Sequence, residues 1–176
     1  MSSLTHYIKK FSRLRTARLA GEAAPHKPIL LLAIMMGIES GEIKENRIII
    51  SPELVAKFKD LWHQLVHTAT FTSNFSLPFY HLKSDGFWFL HTCPGREILL
   101  TTSHSIKSFA HLKEVVAYAS FPEDLYGLLT DPHTRAVLRQ VLLSTYFPSV
   151  KNIDPVIIIR NFKNTRNDGI KRSIFG

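Results

Sequence analysis

The sequence predicts a mainly helical α+β single domain that carries a small three-stranded antiparallel β-meander. Three observations lead to it. Apolar residues recur at three- and four-residue spacing in several segments, each opened or closed by Ser, Asp, Pro or Gly. Residues 29–38 contain no polar side chain and lie between Pro28 and Gly41, the pattern of a helix buried on all sides. Residues 74–100 crowd aromatics around two turn signals, Ser84-Asp85-Gly86 and Pro94-Gly95, the pattern of strands joined by turns. A length of 176 residues suits one core.

Taken in order, residues 4–19 read as a helix. Leu4, Tyr7, Phe11 and Leu14 form its apolar stripe, Lys9, Lys10 and Arg13 lie on another face, and Arg15 and Arg18 fall in its last turns. Residues 21–25 are a small-residue loop. Pro28 fits the first position of the central buried helix, and Gly41 fits its C-terminal cap. Residues 46–50 read as a short strand. Ser51-Pro52-Glu53 opens a helix to about residue 67, with Leu54, Phe58, Leu61 and Leu65 inward.

The meander follows. Its first strand opens on Leu77-Pro78 and continues through Phe79, Tyr80 and His81, the proline stiffening the strand entrance and removing a backbone donor. Ser103 or Ser105 caps a helix to about residue 119, and Phe121-Pro122 breaks it. Residues 122–129 form a short helix, and Asp131-Pro132 opens a longer one that Phe147-Pro148 ends. Residues 1–150 then make the domain. Residues 151–176, with an apolar run at 156–159 and a basic polar tail, form an extension suited to link to a further domain. There is no internal repeat or low-complexity segment.

The formal charge of +8 points to a polyanionic partner, most often nucleic acid. A basic surface that serves only solubility is the alternative. The bias is sharpest over residues 1–30, where Lys9, Lys10, Arg13, Arg15, Arg18 and Lys27 face Glu22 as the single acid. The lone Cys93 excludes an intrachain disulfide and a thiolate metal cluster, and a cytoplasmic location is expected. The N-terminus lacks the apolar segment of a signal peptide, and the longest apolar run is too short to span a bilayer, so no membrane partner is expected.

Catalytic motifs are weak. Glu42-Ile43-Lys44 is not preceded by any aspartate, whereas a metal-dependent nuclease needs clustered carboxylates. One cysteine cannot supply the zinc site of an HNH fold. His63 and His67 share a helical face in HQLVH, but Gln64 stands where a zinc protease needs its glutamate base, and two surface histidines are the simpler reading. Cys93 precedes a Pro-Gly turn and reads as an ordinary turn residue, and no glycine-rich phosphate loop is present. No catalytic residue, metal or cofactor is therefore expected. The feature that stands out is His26-Lys27 beside the start of the buried helix, where free N–H groups and the positive dipole end suit an anion. A solvated lysine beside a capping histidine is the plainer alternative.

The segments APHKPILLLAIM and LPFYHLKSDGFWFL, followed by a helical region ending STYFP, resemble the sulfur-binding domain of phosphorothioate-dependent restriction endonucleases. Those enzymes carry this domain ahead of an HNH nuclease domain. The resemblance covers about residues 4–150. It implies recognition of double-stranded DNA in which sulfur replaces a non-bridging phosphate oxygen. It also implies a sulfur cavity built around Pro78, with Leu77, Tyr80 and His81 beside it. His26 and Lys27 match the family's His-basic pair, and Ser103 falls in a further contacting loop. Lys9, Lys10, Arg13 and Arg18 would add sequence-independent attraction. The expectation is a DNA-binding recognition module of a restriction system that does not itself cut, with an HNH nuclease domain fused or acting as partner. The alternatives are a reader of unmodified or base-modified DNA and, from a different class, a stand-alone metal-dependent nuclease.

Overall fold

A computed structural model describes residues 2–97, 106 and 108–150 of the chain. Helix α1 (Ser3–Ser12) is capped by Ser2, whose hydroxyl accepts from Thr5 N at 3.3 Å, and it buries Tyr7 and Phe11. It stops well short of residue 19, the end that the apolar spacing predicts. Arg13 leaves the helical region at φ −132°, and β1 (Arg18–Leu19) pairs antiparallel with β2 (Glu22–Ala23) around Ala20-Gly21. Both turn residues have positive φ, 51° and 81°, the geometry that matches the twist of a two-residue hairpin. Leu14 is nonetheless buried, so the stripe is real although the helix is not. Its N–H donates to the Tyr146 hydroxyl at 2.8 Å, and that hydroxyl donates to the Phe11 carbonyl at 2.8 Å. A side chain from the far end of the chain thus closes α1, a contact that no local pattern encodes.

Helix α2 (His26–Glu39) is buried at every residue from His26 to Gly37. It begins two residues before Pro28, which occupies the third position of the first turn, where its missing N–H still costs no helical bond. At the other end Gly41 takes φ 76°, and the N–H groups of Glu42 and Ile43 both donate to the Gly37 carbonyl at 3.0 Å. Ile48 makes a single bridge to Ala119 rather than a strand. Helix α3 (Pro52–Leu65) is capped by Ser51, whose hydroxyl accepts from Leu54 N at 3.1 Å, and it buries Leu54, Phe58, Leu61 and Leu65.

The main correction concerns residues 76–85. The expected first strand of the meander is helix α4 (Ser76–His81), continued by a 3-10 turn (Leu82–Asp85) and ended by Gly86 at φ 81°. The Asn74 carboxamide oxygen accepts from Ser76 N at 3.0 Å and Leu77 N at 3.4 Å, so it serves the donors that a helix start leaves open. Pro78 lies in that first turn and is compatible with it. The buried Phe75, Phe79 and Leu82 are spaced four and three apart, a helical rather than an alternating pattern.

The sheet therefore differs from a three-stranded meander. β3 (Phe89–Thr92) pairs antiparallel with β4 (Val116–Ser120), with an irregularity between His91 and Thr92. β4 follows α5 (Phe109–Val115), which Ser108 caps, and occupies residues expected to complete a helix to about 119. The β-branched Val115-Val116 pair and the inward Val116 and Ala119 favour the extended form. Ser103 and Ser105, the expected caps, lie outside the described residues, as do residues 151–176. Helices α6 (Glu123–Thr130) and α7 (Pro132–Tyr146) complete the order, Asp131 capping α7 by accepting from His133 N and Thr134 N at 2.7 and 2.9 Å. The chain then makes a short 3-10 turn (Pro148–Val150).

Helix α2 runs through the centre and contacts α3, α4, α6 and α7, while α1 packs on α6 and α7. Trp88, 1% exposed, donates its indole N–H to the Phe79 carbonyl at 2.8 Å and so joins α4 to the strand region. The architecture is α+β and mainly helical, with two small two-stranded antiparallel sheets. Among the described residues no helix is long and apolar enough to cross a membrane.

Candidate nucleic-acid interface

A cleft of about 410 Å³ opens between the base of the β1–β2 hairpin, the first turn of α2 and the start of α4. Its apolar lining comes from Ala17, Ala24, Phe71, Leu77 and Pro78. Ala24 N donates to Ala17 O at 2.8 Å, so the hairpin rises directly from the cleft wall. The polar lining is Arg15, Thr16, His26, Lys27, His81 and Ser84. Five residues singled out in the sequence thus meet in one hollow: His26, Lys27, Leu77, Pro78 and His81. They come from segments about fifty residues apart, joined by the packing of α4 on α2.

Lys27 does not face solvent. It is 7% exposed, and its ammonium donates to Asp85 Oδ2 at 2.6 Å, Arg15 O at 2.6 Å and Ser84 Oγ at 3.1 Å. Those three bonds match the three protons of an ammonium. The second carboxylate oxygen of Asp85 accepts from Arg15 N at 2.8 Å. This buried knot joins the loop after α1, the start of α2 and the turn after α4, and it holds the cleft in shape. Asp85 was legible in the sequence only as a turn residue; its pairing was not.

His26 also serves the scaffold. Its Nε2–H donates to the Thr72 carbonyl at 2.8 Å, and its ring packs on Trp62 and Phe71 at centroid distances of 4.7 and 6.0 Å. Burial lowers its pKa, with the Thr72 hydrogen bond acting in the opposite direction. His81 is likewise lowered, by burial first and then by the positive charges of Lys27 and Lys83. The hollow therefore presents neutral imidazoles, apolar carbon and a lysine whose charge is already countered.

The remaining predicted residues lie around this hollow or away from it. Tyr80 is buried on α4 and does not line the cleft; the Lys83 ammonium sits 4.0 Å from its ring centroid. Lys9 and Arg13 are exposed, and the Lys10 ammonium reaches the Asp85 carbonyl at 3.4 Å. Arg18 is exposed on the hairpin and donates to the Gly21 carbonyl at 3.2 Å. Ser103 lies outside the described residues. Sequence reasoning missed Arg15, Thr16, Ala17, Ala24, Phe71 and Ser84 as cleft residues. Reading residues 13–19 as helix concealed the first three. Phe71 had a signal, an isolated aromatic in the polar segment from His67 to Asn74.

Among the described residues no group of three or more His, Cys, Asp and Glu side chains is placed to hold a metal ion. His63 is exposed on α3, and His67 lies beyond the helix end at Leu65, so the two do not share a helical face.

The family model of the ScoMcrA-like DNA sulfur-binding domain matches residues 5–156. Among solved structures, the sulfur-binding domain of SprMcrA complexed with phosphorothioated DNA aligns with a TM-score of 0.62 at 20% identity, covering 90% of this chain and 93% of that one. The sulfur-binding domain of ScoMcrA complexed with phosphorothioated DNA aligns at 0.60 and 22% identity, covering 82% and 89%. A structure holding the sulfur-binding and SRA domains of ScoMcrA with such DNA aligns at 0.61 and 23% identity, and this alignment spans 42% of that longer chain. No curated protein matches the sequence. The structural likenesses, at these identities, establish a shared fold. With a family match that extends from α1 past the end of α7, the chain belongs to the ScoMcrA-like DNA sulfur-binding domain family.

Proposed function

We propose that this chain binds double-stranded DNA through the cleft, and prefers a backbone in which sulfur replaces a non-bridging phosphate oxygen. The observation that carries this is the meeting of Leu77 and Pro78 with His26, Lys27 and His81 in one largely apolar hollow. Sulfur is larger and more polarizable than oxygen and a poorer hydrogen-bond acceptor. Leu77, Pro78 and the neighbouring Ala17, Ala24 and Phe71 receive it with little loss of hydration. A phosphate oxygen placed there loses its water and gains no comparable partner, which costs about 1–3 kcal/mol. That is roughly a tenfold to hundredfold difference in affinity. Lys9, Lys10, Arg13 and Arg18 supply attraction that is independent of sequence and sensitive to salt.

In this reading residues 1–150 are the recognition module and residues 151–176 lead towards a nuclease domain, fused or separate, of HNH type. The chain itself binds and does not cut. Titration of two matched duplexes, one with a single phosphorothioate linkage, tests the reading. We expect about tenfold or stronger binding of the sulfur duplex, from the desolvation difference. In Pro78→Ser the preference should vanish while most of the affinity for plain DNA stays. Equal binding of the two duplexes by the unaltered chain would remove the sulfur reading and leave generic DNA binding.

A further inference from the structure

Lys27 and Arg15 divide a task that the sequence assigned to Lys27 together with His26. The charge of Lys27 is countered by Asp85 at 2.6 Å, and its donors are directed to Asp85, Arg15 O and Ser84. An anion arriving in the cleft meets no spare ammonium proton there. Arg15 is the other cation of the lining, and it is exposed. It enters none of the ion pairs found among the described residues.

Its backbone is fixed on both sides by the buried knot. Arg15 N donates to Asp85 Oδ1 at 2.8 Å, and Arg15 O accepts from Lys27 Nζ at 2.6 Å. The next residue but one, Ala17, is tied to Ala24 across the hairpin base. An exposed guanidinium on an immobilised backbone loses less freedom on meeting a ligand than one on a loose loop. Its planar fork suits two oxygens of one phosphate.

We propose that Arg15 is a phosphate anchor of the cleft, and that Lys27 acts as its positioning residue through the pair with Asp85. This rests on the DNA-binding reading above and deepens it. Arg15 grips a backbone phosphate at the rim, and so registers the duplex with one linkage against Leu77 and Pro78. The anchor reads charge, the apolar wall reads sulfur, and the two contributions are separable.

The test is the salt dependence of DNA binding, measured with both duplexes. Each phosphate contact contributes about −0.9 to the slope of log K against log salt. Arg15→Ala should flatten that slope by about one unit and weaken both duplexes by a similar factor, leaving the sulfur preference unchanged. Lys59→Ala, which removes an equal charge from the exposed face of α3, should leave the slope as it was. An Arg15→Ala slope equal to that of the unaltered chain overturns the anchor. Lys27→Met with Asp85→Asn, combined with Arg15→Ala, addresses the positioning role. These changes remove the buried pair together and avoid stranding one charge. Made with Arg15 intact, the two changes should flatten the slope by about as much as Arg15→Ala does, and an unchanged slope there overturns the positioning role; in the triple variant a further loss of about one unit also overturns it and makes Lys27 a direct phosphate contact. Equal binding of the two duplexes by the unaltered chain overturns the sulfur reading alone, because the Arg15 slopes are still measured. Binding of neither duplex overturns the function and the anchor together.

Discussion

At the scale of single residues, the two histidines of the cleft set its response to pH. Burial is the first cause that lowers His81, and the positive charges of Lys27 and Lys83 add to it. His26 is lowered by burial and partly restored by the Thr72 carbonyl. Both are therefore neutral in the free domain at pH 7. Their folded pKa values lie below the unfolded value near 6.5, so their contribution to stability is present above about pH 6.5 and is lost as pH falls through the folded values. A bound phosphate reverses the electrostatics at His81, because a nearby negative charge favours the imidazolium. Binding should then take up a proton, and affinity should rise several-fold between about pH 8 and pH 6. Binding curves across that range check this, and His81→Gln should flatten the dependence. A pH-independent affinity in the unaltered chain would show that no phosphate lies near His81. His81 and Pro78 were legible because their chemistry sits in one short stretch. The partner of Lys27 lies 58 residues away and that of the Arg15 N–H 70 residues away, and no local pattern encodes such pairings.

At the scale of elements, legibility followed how far each segment is governed by its own residues. The starts of helices α3 and α7 were readable, because Ser51-Pro52 and Asp131-Pro132 both cap and start them, whereas α3 ends at Leu65, short of the expected residue 67. The error at α4 has a physical source. A six-residue segment of Ser, Leu, Pro, Phe, Tyr and His carries too few turns to show its period, and the deciding contact is the reach of Asn74 to two N–H groups. The end of this unit is Gly86, with φ 81°. A Cβ there would meet only Lys10 Nζ, at 3.7 Å, so a substitution is opposed by the backbone and not by crowding. Gly86→Ala should therefore cost about 1–2 kcal/mol, the penalty of a left-handed conformation for an L-residue. Thermal unfolding should show a midpoint lower by roughly 2–4 °C for each kcal/mol in a domain of this size. A midpoint unchanged within error would mean that the turn relaxes to another form. Because Gly86 follows Asp85 directly, the variant also reports whether the turn conformation holds the Lys27–Asp85 pair.

At the scale of the whole molecule, the core was legible and the sheet was not. A helix without a polar side chain over residues 29–38 must lie at the centre whatever surrounds it, whereas the pairing of β3 with β4 depends on residues 24 to 31 positions apart. The charge distribution follows the same division. Acids meet bases within the fold at Lys27–Asp85, Lys57–Glu42 and the pairing of Glu39 with Arg135 and Arg139. The formal charge of +8 therefore acts largely as a surface field, to which the exposed Lys9, Arg13, Arg15 and Arg18 contribute, Arg15 in the cleft lining itself. Such a field acts on phosphates in general and is screened over about 10 Å at 0.1 M salt. A phosphorothioate linkage carries the same formal charge as the phosphate it replaces. The proposed discrimination comes from hydration of one atom at Leu77 and Pro78, and hydration does not follow the Debye length. Raising salt from about 50 to 200 mM should thus weaken both duplexes steeply, by orders of magnitude if several phosphates are contacted. The ratio between the duplexes should stay constant, giving two parallel lines of log K against log salt. A ratio that shrinks towards one as salt rises would place the sulfur preference in the charged rim and not in the apolar wall.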